Sequence, residues 1–186
     1  MTETMSGAWV TTWRSAFAMA IVAVTFVPAA ASAQAAAPGD VSSIDGIITA
    51  LYDVISGPAG EVRDWDRFHT LFIPEGARLV PSGRGQQGNA SYQVWTPQEY
   101  AERAGASLEA NGFFEREIGR TTEEFGNVVH VFSAYDSKRT LADAEPFARG
   151  INSIQLFHDG SRYWVVTIFW DSERPDNPIP PRHIGG

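Results

Sequence analysis

Residues 151–171 read INSIQLFHDGSRYWVVTIFWD. Two runs of β-branched and aromatic residues flank Asp159-Gly160, a dipeptide that favours a tight reversal, so the stretch is expected to form an antiparallel hairpin. Alternate side chains of a strand share a face. Trp164, Val166, Ile168 and Trp170 then fall on one side of the last strand, and Val165, Thr167 and Phe169 on the other. Both sides are apolar, which implies a sheet covered front and back. By the same alternation Ser153, Gln155 and Phe157 form a set, expected on the inward face with the tryptophans.

Upstream, NVVHVFSAY (127–135) reads as a central strand, and residues 113–124 alternate more weakly as its neighbour. TPQEYAERAGASLEANG (96–112) opens with Thr96, Pro97 and Glu99, the spacing of a capping box with proline at the first helical position, and Asn111-Gly112 stops the helix. ARLVP (77–81) and SYQVWT (91–96) read as short strands. Between them PSGRGQQGN (81–89) spells G-x-G-x-x-G with Gly83, Gly85 and Gly88. That pattern binds dinucleotides only where a strand leads into a helix N-terminus. Here the loop leads into a strand, so the glycines are expected to serve a hairpin. Ile44, Ile47, Ile48, Leu51, Tyr52 and Ile55 form one apolar stripe on a helix, with Ser42 as its expected cap, and DWDRFHTLF (64–72) reads as a second short helix capped by Asp64.

The composition is that of one globular domain, with 44% hydrophobic and 19% charged residues in 186. A net charge of −8 with the 14 Lys and Arg scattered argues against nucleic-acid binding. The absence of cysteine removes thiol catalysis, thiolate metal sites and disulfides. Residues 15–34 carry no charge, follow Arg14 and include Ala31-Ser32-Ala33, so residues 1–33 are expected to be a signal peptide cleaved near Ala33. Its apolar core, Ala16 to Val27, is too short for a comfortable membrane span. The expected organisation is signal peptide 1–33, linker 34–40, domain 41–172 and proline-rich tail 173–186, a periplasmic or secreted protein without membrane contact after cleavage.

The order of helix, short helix, hairpin, capped helix and long strands ending in RYWVVTIFWD resembles the nuclear transport factor 2-like superfamily, whose relatives include ketosteroid isomerases, scytalone dehydratase and polyketide cyclases. DWDRFHTLF, GNVVHVFSAY and RGINSIQLFHDGSRYWVVTIFWD carry the resemblance. It implies an α+β fold, a strongly curved antiparallel sheet wrapped around about three helices with a central pocket, and a homodimer packed through the outer sheet face. Against the ketosteroid isomerase pattern Tyr52 matches the catalytic tyrosine. Pro81 and Ser153 stand where its two aspartates belong, and neither ionises, so steroid isomerisation by that route is not expected.

The candidate catalytic residues are therefore His130 and Tyr52, and the candidate substrate-binding residues Trp65, Ser153, Gln155, Phe157 and Trp170. For His130 a neutral core histidine bonded to a Ser or Tyr is the favoured reading, since no matched acid is evident, while Ser153 and Gln155 read equally as satisfied polar groups in a filled core. Ser133 and Tyr135 have the opposite parity from His130, so only one of the two sets faces a cavity. Glu115 and Glu117 share a face and read either as an acid and base pair or as partners of arginines. Asp64, Asp66 and His69 diverge too far around a helix to argue for a metal. Neither metal nor cofactor is implied. The leading functional expectation is a small-molecule pocket of about 300 Å³ or more near Gln155, and the alternative is a dimeric assembly module whose cone is filled by side chains.

Overall fold

The computed structural model describes residues 35–85 and 87–184. The expected signal peptide lies outside the described residues. Among the described residues four α-helices, α1 (Pro38–Val41), α2 (Ile44–Ile55), α3 (Trp65–Thr70) and α4 (Pro97–Asn111), accompany six strands. These are β1 (Arg78–Arg84), β2 (Ala90–Tyr92), β3 (Phe114–Phe125), β4 (Val128–Lys138), β5 (Ala148–His158) and β6 (Tyr163–Ser172), with a 3₁₀ turn at Pro181–His183.

Local chemistry fixes the helix starts. The Thr96 hydroxyl accepts from the Glu99 amide at 3.1 Å while the Glu99 carboxylate accepts from the Thr96 amide at 2.8 Å, the expected capping box. Asp64 caps α3 by accepting from the Arg67 amide at 2.9 Å. At α2 the cap is Ser43, not Ser42: Ser43 is extended and accepts from the Gly46 amide at 3.0 Å, whereas Ser42 is helical and closes α1. The helical turn α1 begins within the expected linker, at Pro38, and buries Val41, the first residue of the expected domain, against the core.

The sheet runs β2-β1-β6-β5-β4-β3 and is open at both edges. Three antiparallel ladders join β3 to β6, but β1 lies parallel to β6, which corrects the expectation of antiparallel pairing throughout. β1 and β6 are remote in sequence and are joined through α4 and four further strands, so no local turn signal sets their relative direction. α2 touches both β3 and β6, which lie at different places across the sheet, so the sheet curls around this helix. The glycine loop closes the β1–β2 hairpin, with the Gly85 amide bonded to the Asn89 carbonyl at 2.8 Å and Gly88 at a φ of 76°. The expected turn at Asp159 is also present: the Asp159 carboxylate accepts from the amides of Ser161 and Arg162 and from the Trp164 indole, and Gly160 has a φ of 97°.

A bulge in β6 overturns the expected alternation. Leu156 pairs with Val165 but Gln155 pairs with Thr167, leaving Val166 as an extra residue. Val165 is consequently fully buried, Ile168 and Trp170 pack on the core, and Phe169 is 48% exposed. On β5 the inward residues are Asn152, Ile154 and Leu156, all buried.

The tail does not hang free. Ile179 and His183 are buried, the His183 ring lies 5.0 Å from that of Phe132, and its Nδ1 is 3.1 Å from Thr121 Oγ1. The tail amide of Ile179 bonds Glu173, which Arg149 holds at 3.1 Å. Residues 173–184 thus cover part of the outer face of the sheet with the chain itself. Truncation after Ser172 is expected to cost about 2 kcal/mol from the uncovered apolar area and to promote self-association. Unfolding in urea and light scattering check both; a truncated chain as stable and as soluble as the full one contradicts this role for the tail.

Candidate functional site

A cavity of about 200 Å³ lies between α2, α3, α4 and the concave side of the sheet. Leu51, Ile55, Leu79, Ile154 and Ile168 supply aliphatic walls, and Phe68, Tyr100, Phe113, Tyr135, Phe147 and Trp170 supply rings. The rings brace one another: Phe68 stacks on Tyr100 at 5.6 Å, and Tyr100 meets Trp170 edge-on at 6.3 Å. Against this apolar surface stand Glu115, Ser137, Asn152 and Tyr52.

Glu115 pairs across the ladder with Ser137, whose hydroxyl donates to the carboxylate at 2.8 Å. Burial dominates its environment and pushes its pKa up to about 7, against the opposing effect of the Ser137 and Asn152 hydrogen bonds, with the charge of Asp136 adding to the rise. A carboxyl so placed exchanges a proton near neutral pH. Burial raises Tyr100 and Tyr135 as well, and in both the Glu115 charge adds to the rise.

Tyr52 belongs to a directed chain of hydrogen bonds. The Ser133 hydroxyl donates to Glu117 at 2.6 Å, so the Tyr52 hydroxyl, 2.7 Å from Ser133 Oγ, is the donor of that pair. Asn152 Nδ2 donates to the Tyr52 oxygen at 3.1 Å. The phenol proton therefore points to Ser133 and not into the cavity. Burial raises the Tyr52 pKa above its ordinary value, the nearby charge of Glu115 adding to the rise.

Of the residues expected to form the site, Tyr52 and Trp170 line the cavity. Trp65 stands behind it, edge-on to Phe68 at 5.4 Å and to Tyr100 at 6.3 Å, and supports the wall without reaching the void. Ser153, Gln155 and Phe157 lie on the opposite face from Asn152 and Ile154, and Phe157 is 39% exposed. Because register across the hairpin placed them, they follow the error introduced by the Val166 bulge. His130 shares that outer face: its Nε2 is 3.0 Å from Ser153 Oγ and its Nδ1 3.7 Å from Glu123. The set that faces inward on β4 is Ser133, Tyr135 and Ser137, all buried. The cavity accordingly centres on Asn152 and not on Gln155, and it is smaller than expected. Among the described residues no group of three or more His, Asp or Glu side chains is clustered to hold a metal.

The residues that the sequence did not mark are Asn152 and Tyr100. Asn152 is adjacent to Ser153 and differs from it only in parity, and Tyr100 reads as an ordinary buried helix position. Glu115 carried a usable signal, an acid directly after Phe113-Phe114 in a strand-forming run.

No family model matches the sequence, and no curated protein matches it significantly. Solved structures do. The Kfla4162 protein of Kribbella flavida is 9% identical, covers 60% of this chain and 78% of its own, and has a TM-score of 0.44. A second Kribbella flavida protein, provisionally described as a ketosteroid isomerase, is 17% identical, with coverage of 78% and 89% and a TM-score of 0.40. The chain is also similar to an NTF2-like protein of unknown function from Methylobacillus flagellatus, at 12% identity, coverage of 71% and 95% and a TM-score of 0.45.

Proposed function

We propose that this protein is an exported binding domain whose cavity takes one small, largely apolar molecule and directs its polar end at Glu115 and Asn152. The observation that carries the reading is an open, aromatic-walled cavity of about 200 Å³ with a buried carboxyl in its wall. A filled cone, the alternative, would leave no such space. A cavity of about 150 Å³ holds benzene, so this one suits a ligand of roughly one ring with a short substituent, below the size of ordinary drug-like sites. A steroid is too large for it.

The chemistry available is proton transfer at Glu115, whose pKa near neutrality suits a general acid or base. The Tyr52 proton, committed to Ser133, is not offered to the ligand, which argues against an isomerase of the ketosteroid type. The homodimer is proposed for the part of the outer face that the tail leaves open, where Phe157 and Phe169 are 39% and 48% exposed.

Thermal-shift screening with one-ring compounds tests the binding reading. A ligand at about 100 times its Kd adds about 2.7 kcal/mol, which raises the Tm by about 5–10 °C in a domain of this size. Ala148→Trp, which puts an indole among the cavity-lining side chains, is expected to abolish the shift. A shift that survives this substitution, or none from the whole set, overturns the assignment.

A further inference from the structure

The cavity wall holds an acid and no base. Glu115 lines it, and none of the other lining residues is Lys, Arg or His. The arginines nearby are engaged elsewhere: Arg116 is paired with Asp136 at 2.9 Å, and Arg139 lies on the Phe147 ring at 4.0 Å. The carboxylate's hydrogen-bond partner, the Ser137 hydroxyl, and the nearby Asn152 amide are neutral groups that solvate a charge without cancelling it. The groups whose charge or burial bears on it are Tyr52 of α2, Tyr100 of α4, Tyr135 and Asp136 of β4 and Asn152 of β5, all neutral or acidic. Lys138, which with Arg116 and Glu115 borders a second cavity, donates its Nζ to the Asp143 carbonyl at 2.7 Å. A buried carboxylate is costly until a cation meets it.

The rings make the same demand. Tyr100, Phe113, Tyr135 and Trp170 border the void, and aromatic faces carry the negative end of the ring quadrupole. Tyr100 and Trp170 meet at 88°, forming a corner and not a closed stack. One carboxyl and several ring faces around an apolar space complement a positive charge attached to an apolar body.

We propose that the ligand of this cavity is a small organic cation, a primary or substituted ammonium on an apolar body of about one ring, with its charge on Glu115 and its body among Tyr100, Phe113 and Trp170. This deepens the binding reading above and rests on it.

Three probes of one shape separate the alternatives: benzylammonium, benzyl alcohol and benzoate, titrated calorimetrically into the full chain at about pH 8, where Glu115 is ionised. Benzylammonium is expected to bind at least about tenfold more tightly than benzyl alcohol, and benzoate not to bind. Glu115→Gln should erase the difference by weakening the ammonium alone. At about pH 6, where the free carboxyl is mostly protonated, cation binding should release close to one proton per ligand, read as a dependence of the heat on buffer ionisation. Benzyl alcohol binding as tightly as benzylammonium overturns the cation inference and leaves the cavity reading in place. Unchanged ammonium affinity in Glu115→Gln, or no proton release, overturns it as well. Failure of all three probes sinks both.

Discussion

Replacing Arg63 by methionine is expected to lower the unfolding free energy by about 3–5 kcal/mol, the cost of leaving several buried acceptors unpaired. Arg63 is only 5% exposed and has no carboxylate partner among the described residues. Its guanidinium donates to the carbonyls of Ile55 at 2.9 Å, Gly57 at 2.6 Å and Leu108 at 3.1 Å, and also to that of Glu61. Ile55 ends α2, and Leu108 lies in the last turn of α4, so one planar cation ties together the negative ends of two helices. Methionine keeps the bulk and leaves those carbonyls facing each other. In a domain of this size the Tm should fall by about 10 °C. Arg63→Lys should recover little, because a single ammonium cannot span carbonyls that diverge around a fork. A methionine variant within about 1 kcal/mol of the parent, as surface changes usually are, contradicts this role. Ile55 also lines the cavity, so ligand affinity should fall with the helix ends.

Glu115→Gln should do the opposite, stabilising the protein at mildly alkaline pH. A carboxyl whose pKa rises from 4.5 in the open chain to about 7 in the fold holds its proton more tightly when folded. Its contribution is fully present below about pH 4.5 and is lost as pH rises through about 7. The loss amounts to about 3 kcal/mol at most, since each tenfold change in the acid constant corresponds to about 1.4 kcal/mol. Glutamine titrates nowhere and escapes it. Urea unfolding should therefore find the variant about 2–3 kcal/mol more stable than the parent near pH 8 and about equal near pH 4. A less stable variant at pH 8 contradicts the account. Asp40, held low by Arg67, and Asp171, held low by Arg174, lose their stabilisation at more acidic pH, so the two effects occupy different windows. A native carboxyl that costs stability is what a functional site leaves behind.

These expectations depend on residues of unequal legibility. Caps and turns are local, and Thr96, Asp64, Asp159 and Gly160 do in the fold what their spacing announces. The helix stripe from Ile44 to Ile55 likewise needs only the helical period. Pairing is not local: one inserted residue at Val166 puts Val165 on the same face as Ile168 and Trp170 and moves Ser153, Gln155 and Phe157 outward. Arg63 was invisible because its partners are backbone carbonyls, which leave no trace in residue identity. Glu115 was legible as an acid in a strand, but its lack of an ion-pair partner among the described residues depends on where Arg116, Lys138 and Arg139 turn. The tail's proline-rich composition left open whether it wraps the surface or hangs free, and the burial of Ile179 and His183 shows where it lies.

The central claim is that Glu115 stands unneutralised in the wall of an open cavity. Titration of its carboxyl carbon by nuclear magnetic resonance in the free protein tests this directly. The midpoint should lie near 7, as burial without a cation requires, and should fall when benzylammonium is added. A midpoint near 4.5, the value of a solvated glutamate, would mean that water or a buried cation already meets the carboxylate and that the cavity described here is not the site.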